Sequence, residues 1–203
     1  MSAILLTLGE KFAILCGETN LCLDSGGVGR IEKINMVEDK FLYGFTGRTT
    51  SAIEFFEKLI DNKLRPTAYL KSISFEQVLK ILDSKFELYK EQGMEEDFDV
   101  CSILCGPIGE RIQCVRYLIK PTECRREVYI AENEIRVVAS CLDKHLENYK
   151  IDFAVDDLVE EIVDAFQKMV NKGIEFDETI NNEVIAYFIN KGVDRPYITQ
   201  RLK

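Results

Sequence analysis

The opening of the chain constrains its fold more than any other stretch. Met1 leads directly into the apolar run Ser2-Ala3-Ile4-Leu5-Leu6, and a second apolar run, Phe12-Ala13-Ile14-Leu15-Cys16-Gly17-Glu18, follows the turn residues Gly9-Glu10-Lys11. Two such runs around a glycine-containing turn read as a β-hairpin. The fold is therefore expected to begin with paired strands.

A second strand pair is predicted from Ile31 to Val37 and from Phe41 to Phe45, joined at Glu38-Asp39-Lys40 and ending at Thr46-Gly47. From Thr49 to Lys63 the apolar period changes, because Ile53, Phe56, Leu59 and Ile60 recur at helical spacing. Thr49, Thr50 or Ser51 can cap that helix. Another helix is predicted from about Ser74 to Gln92, with Ser74-Phe75-Glu76-Gln77 as a capping box and Gly93 as its stop. Strands return at Phe98 to Cys105, Arg111 to Ile119 and Glu127 to Ala131, the first two joined at Gly106-Pro107-Ile108-Gly109. Ile135, Val138, Ala139 and Leu142 then mark a third helix, and Leu158, Ile162, Ala165, Phe166 and Met169 a fourth, closed by Gly173. The chain ends in the apolar strand Val184 to Ile189 and a further strand near Arg195 to Leu202.

That order of strands, two helices, strands, two helices and strands suggests helix pairs covering the outer faces of two stacked sheets, an α+β architecture of four layers. At 203 residues and 46% hydrophobic, residues 1–203 can bury one full core, and no linker or repeat divides them. A single domain is expected.

The formal charge of −9 argues against a nucleic-acid partner, which needs Lys and Arg concentrated on one face. No run approaches eighteen apolar residues, and Met1-Ser2-Ala3 lacks the basic opening of a signal peptide, so neither a membrane span nor secretion is expected. Seven cysteines, Cys16, Cys22, Cys101, Cys105, Cys114, Cys124 and Cys141, follow no framework spacing and read as buried free thiols in a reducing compartment. Cys101-x-x-x-Cys105 would place two thiols on one strand face, but no second pair or nearby histidine completes a metal site. No metal or cofactor is expected. His145 is the sole histidine, among charged residues late in a predicted helix, and reads as a surface residue.

Several segments together resemble the proteasome beta-type subunits of the N-terminal-nucleophile hydrolase superfamily. They are Ala13-Ile14-Leu15-Cys16-Gly17-Glu18-Thr19-Asn20, Glu32-Lys33-Ile34, Asp39-Lys40-Phe41-Leu42-Tyr43-Gly44-Phe45-Thr46-Gly47 and a Ser140-Cys141-Leu142 helix. The resemblance implies an αββα sandwich. In active members an N-terminal threonine or serine is the nucleophile and its own amine the base. An acid on the second strand and a lysine before the next apolar strand orient the amine and stabilise developing negative charge. Laid on that pattern, Ser2 takes the nucleophile position, Glu18 the acid, Lys33 the lysine and Asp177 a further supporting acid.

The same resemblance carries reasons to expect a non-catalytic subunit. The chain has no Gly-Thr processing junction, so Ser2 would need Met1 removed. Asn133-Glu134 replaces an expected small-residue turn, and Asp177-Glu178-Thr179-Ile180-Asn181 lacks the expected Ser-Gly pair. Ile31-Glu32-Lys33-Ile34 and the ending Tyr197-Ile198-Thr199-Gln200-Arg201-Leu202-Lys203 resemble the third beta-type position of the 20S core particle, with the fourth as a rival. Such a subunit would lie in the cytoplasm and nucleus. Its partners would be beta-type neighbours in a seven-membered ring, an alpha-type ring and an opposite beta ring, with the C-terminus lying against a neighbour. The alternative is an active N-terminal-serine peptidase or amidase in a simpler homomeric assembly.

Overall fold

Strand β1 (Ile4–Leu8) and strand β2 (Phe12–Glu18) form the expected hairpin, paired from Ile4 with Gly17 to Leu8 with Ala13. Gly9 leaves room for the Phe12 ring at the turn, since a β-carbon there would come within 2.1 Å of it. The computed structural model describes residues 4–22, 28–38, 40–132, 136–140, 164, 166–168, 171, 184–190 and 199–201.

A short ribbon follows the hairpin, β3 (Asn20–Cys22) with β4 (Val28–Arg30). Then come β5 (Ile34–Val37), β6 (Phe41–Gly47), α1 (Thr49–Phe55), α2 (Ala68–Ser72) and α3 (Phe75–Gln92). The strands β7 (Val100–Ile108), β8 (Arg111–Lys120), β9 (Glu123–Ile130), β10 (Arg136–Ser140), β11 (Val184–Asn190) and β12 (Thr199–Arg201) complete the order. They build two five-stranded antiparallel sheets, β10-β1-β2-β11-β12 and β5-β6-β7-β8-β9. The chain is thus a mixed α/β protein with the sheets stacked.

Two apolar clusters define the layers. Between the sheets lie Ile4, Leu6, Leu8, Ala13, Leu15, Ile34, Leu42, Ile103, Cys105 and Ile185. On the other face of the β5–β9 sheet, Tyr43, Val100, Leu104, Val115 and Tyr117 pack against Phe55, Val78, Leu82 and Phe86 of the helices. The period of two along each strand produces this split, since alternate residues face opposite layers. Helix α3 is also fixed polarly, because the Tyr117 hydroxyl donates to Asp83 at 2.6 Å and Arg126 makes two bonds to the same carboxylate.

Several sequence expectations need correction. The segment predicted as a third helix is the edge strand β10 where it is described, pairing Val137 with Thr7 and Val138 with Leu6. A short apolar run with adjacent β-branched residues fits either state, and the open edge of β1 selects the strand. Ser140 therefore ends a strand rather than opening a Ser140-Cys141-Leu142 helix. The fourth predicted helix is described only at residues 164, 166–168 and 171, which are helical, with Phe166 fully buried.

Helix α1 stops at Phe55, well short of Lys63, although Phe56, Leu59 and Ile60 are buried as their spacing predicts. Its N-cap is Arg48, without a side-chain capping bond. The start of α1 is tied instead to the strand entering β7: Arg48 N–H donates to the Asp99 carbonyl at 2.7 Å, and the Ser51 hydroxyl accepts from Asp99 N–H. The α3 capping box at Ser74 and Gln77 forms as the sequence predicts. At the C-terminus, residues 199–201 add to the protein's own β11 through Ile185–Arg201, Ala186–Gln200 and Tyr187–Thr199 pairs. Residues 199–201 thus pair within the chain.

Candidate functional site

The site is built where β2 ends and β5 begins. Glu18 closes β2 one residue past the Ile4–Gly17 pair, at the end of the hairpin from which β1 emerges, and its backbone partner on the other side is Val184. Lys33 immediately precedes β5, with its carbonyl accepting from Phe45 N–H of β6 at 3.0 Å. Fifteen residues separate the two in sequence. The β3–β4 ribbon closes that gap: it pairs Asn20 with Arg30, and Ile31 N–H then donates to the Thr19 carbonyl at 2.8 Å. The returning strand therefore brings Lys33 alongside Glu18.

The Lys33 ammonium donates to the Glu18 carboxylate. Glu18 is 1% exposed and Lys33 4%, so the pair is withdrawn from water. Glu18 belongs to one sheet and Lys33 leads directly into the other, which makes the bond a clamp between layers. Below it the walls are unusually close, because the Ile34 Cγ2 methyl sits where a β-carbon on either Gly17 or Gly44 would lie, at 2.7 and 2.8 Å. Thr19 and Thr46 are the other buried polar residues at these strand ends. Gly47 then turns the chain into Arg48 and α1 with φ +98°, where a β-carbon would lie 2.4 Å from the Asp99 carbonyl.

Chemically, a buried ammonium beside a carboxylate can do two things. It can hold two strands together with both charges satisfied, or it can stabilise negative charge developing on an adjacent nucleophile. Of the four residues singled out in the sequence, Glu18 and Lys33 are brought together. Ser2 and Asp177 lie outside the described residues, as do Asn133, Glu134 and His145.

Five of the seven cysteines have described side chains, those of Cys22 and Cys141 lying outside the description. Cys16, Cys101, Cys105 and Cys114 are buried thiols outside any disulfide, and Cys124 is half-buried. Desolvation pushes the Cys16 thiol up to about 12 and raises Cys105 and Cys114 as well, which disfavours the thiolate. Cys105 and Cys114 face each other across β7 and β8. Among the described residues no three His, Cys, Asp or Glu side chains converge as a metal site, and no helix is long and apolar enough to cross a membrane.

The ribbon and helix α2 were missed from sequence. Asp24-Ser25-Gly26-Gly27 between residues 22 and 28 is a turn signal that could have found the ribbon. Helix α2 has its own cap, since Thr67 Oγ1 accepts from Leu70 N–H. That Thr67 follows a proline by one residue was the available cue.

The chain shares its fold with an N-terminal-nucleophile-hydrolase-like protein of known structure. Among solved structures the chain is similar to Anbu from Hyphomicrobium sp. strain MC1, determined as a Gly-1 mutant, with a TM-score of 0.67 at 8% identity over 100% of this chain and 88% of that one. No family model matches the chain. No curated protein matches it in sequence either. These findings correct the resemblance to the third beta-type position of the 20S core particle: the similarity found is to a bacterial proteasome-related protein, at an identity that carries fold alone. Short degenerate segments such as Glu32-Lys33-Ile34 follow the fold's strand boundaries and do not separate its branches.

Proposed function

We propose that this chain is a structural, non-catalytic subunit of a proteasome-type ring assembly, in which Glu18 and Lys33 clamp the two sheets. The observation that carries the reading is the burial of both charges against each other at the junction of the layers. Its partners are then protein surfaces, chiefly like chains in the ring. In this reading the fold is a four-layer sandwich. Burial of Leu5, Thr7, Ile14 and Cys16, which alternate with the intersheet residues of β1 and β2, supports a second helical layer over that face.

A second reading is favoured by one specific observation, that the Glu18–Lys33 pair lies at the end of the hairpin from which β1 emerges. It makes the chain an N-terminal-serine peptidase or amidase, with Ser2 as nucleophile, its amine as base and Asp177 as a supporting acid. One experiment separates the two. The purified assembly is incubated with a β-lactone acylating probe and with fluorogenic peptides, and intact mass is read for wild type and Ser2→Ala. The structural reading expects no adduct and no difference in hydrolysis. An adduct on Ser2, lost together with hydrolysis in Ser2→Ala, overturns it and establishes the second reading.

A further inference from the structure

Strand β9 is the longest sheet edge among the described residues, with eight residues against four in β5, five in β10 and three in β12. Its ladder with β8 runs unbroken from Gln113–Ile130 to Lys120–Glu123. No bulge, proline or glycine interrupts it, so its outer row of backbone groups is a ready template for another strand. Short edges protect the other three positions by length alone. Val128 and Ile130 are also exposed here, at 43% and 37%.

The side chains indicate which strand fits. Alternation puts Glu123, Arg125, Glu127 and Tyr129 on one face of β9 and Cys124, Arg126, Val128 and Ile130 on the other. We propose that β9 pairs antiparallel with β9 of a second copy, about a two-fold axis at Arg126, joining two five-stranded sheets into one. In that register each Arg125 stands opposite the Glu127 of the other copy, and each Val128 covers a Cys124.

Sliding the pairing by two residues in one direction sets Arg125 against Arg125. Sliding it in the other sets Glu127 against Glu127. Like charges directly opposite are destabilising, so the charge pattern disfavours both neighbouring registers, and further slides leave five paired residues or fewer. Arg126 meets its own counterpart on the axis, but each guanidinium is already neutralised by two bonds to Asp83, at 2.5 and 3.1 Å. Within one chain Arg125 holds Glu123 at 2.5 Å and Glu127 at 3.5 Å. Those contacts are exposed and exchange for the intermolecular ones at little cost.

The contact is isologous and doubles whatever particle the chain forms, so native mass tests it independently of labelling at Ser2. At micromolar concentration wild type should have twice the native mass of Arg125→Glu, which sets carboxylate against carboxylate in both halves of the pair. Glu127→Arg should also halve the mass, and mixing the two variants should restore it, since each reversed charge then meets its opposite. Glu127 also accepts from Tyr129 at 2.7 Å and pairs with Arg116, so thermal melting must accompany its variant. Should that variant fail to fold, Arg126→Cys gives a second measurement. It puts two thiols at a cross-strand Cα separation of about 5 Å, within disulfide reach, and mild oxidation should yield a disulfide-linked dimer. Equal native mass for wild type and Arg125→Glu, a mixture that stays at half mass, or an Arg126→Cys chain that does not cross-link overturns the proposal.

Discussion

Lys33 and Glu18 meet across the boundary between the two sheets, and directly beneath them one methyl of Ile34 fills the space left by the missing side chains of Gly17 and Gly44. The charged bond and the glycine contact do complementary work. The glycines let the strands approach, and the ion pair joins the layers just beyond them. Any larger residue at either glycine would separate the layers and pull the charges apart.

The pair should therefore behave as a buried clamp. Lys33→Ala leaves the Glu18 carboxylate buried without its cation and is expected to cost about 3 to 5 kcal/mol in urea unfolding. Replacing both, as Lys33→Met with Glu18→Leu, should recover much of that loss, because the uncompensated charge is gone. A Lys33→Ala chain as stable as wild type would refute the clamp.

Gly44→Ala should destabilise by about 1 to 3 kcal/mol, as expected for overpacking. Its new methyl would lie 2.8 Å from Ile34 Cγ2 and 3.2 Å from the Lys33 carbonyl. Gly17→Ala meets the same Ile34 methyl, so the two substitutions should be non-additive in a double-mutant cycle. Strict additivity in denaturant titrations would show that they do not share that contact.

Cysteine reactivity should follow burial. At pH 8 in native buffer, iodoacetamide with peptide mapping should modify Cys124, which is half-buried, and spare Cys16, Cys105 and Cys114, whose thiols are pushed up by desolvation. After unfolding all four should react. Rapid native labelling of Cys16 would contradict the covered outer face of β2.

The loop before α2 should give a measurable pH dependence. Asp61 Oδ1 accepts from Arg65 N–H at 3.0 Å and Lys63 N–H at 2.8 Å, and these bonds, that of Arg65 foremost, hold its carboxyl below the ordinary value of 3.8. The folded state therefore binds this proton more weakly than the unfolded chain does. Its contribution is fully present above pH 3.8 and is lost as pH falls from there through the lower folded value. Asp61→Asn should flatten that part of the stability profile, and a carboxyl titration followed by NMR should place Asp61 below 3.8. A midpoint at or above it would remove the basis for the prediction.

What the sequence determined by itself was the local grammar of the chain. The Gly9 turn, the two apolar runs of β1 and β2, the Ser74–Gln77 capping box and the period of 3.6 along α3 are all written within a few residues, where backbone geometry and side-chain chemistry act directly. Glu18 and Lys33 were legible as candidates only through the resemblance to proteasome beta-type subunits, on whose pattern they fall at the acid and the lysine. Their contact was not, since it depends on the β3–β4 ribbon folding back and on two glycines admitting Ile34. The nature of residues 136–140 was likewise decided by tertiary structure: Val137 and Val138 suit either helix or strand, and the unpaired edge of β1 supplies the hydrogen bonds that settle it. The layer order has the same cause, for alternation fixes that a strand has two faces, but only stacking determines what each face meets.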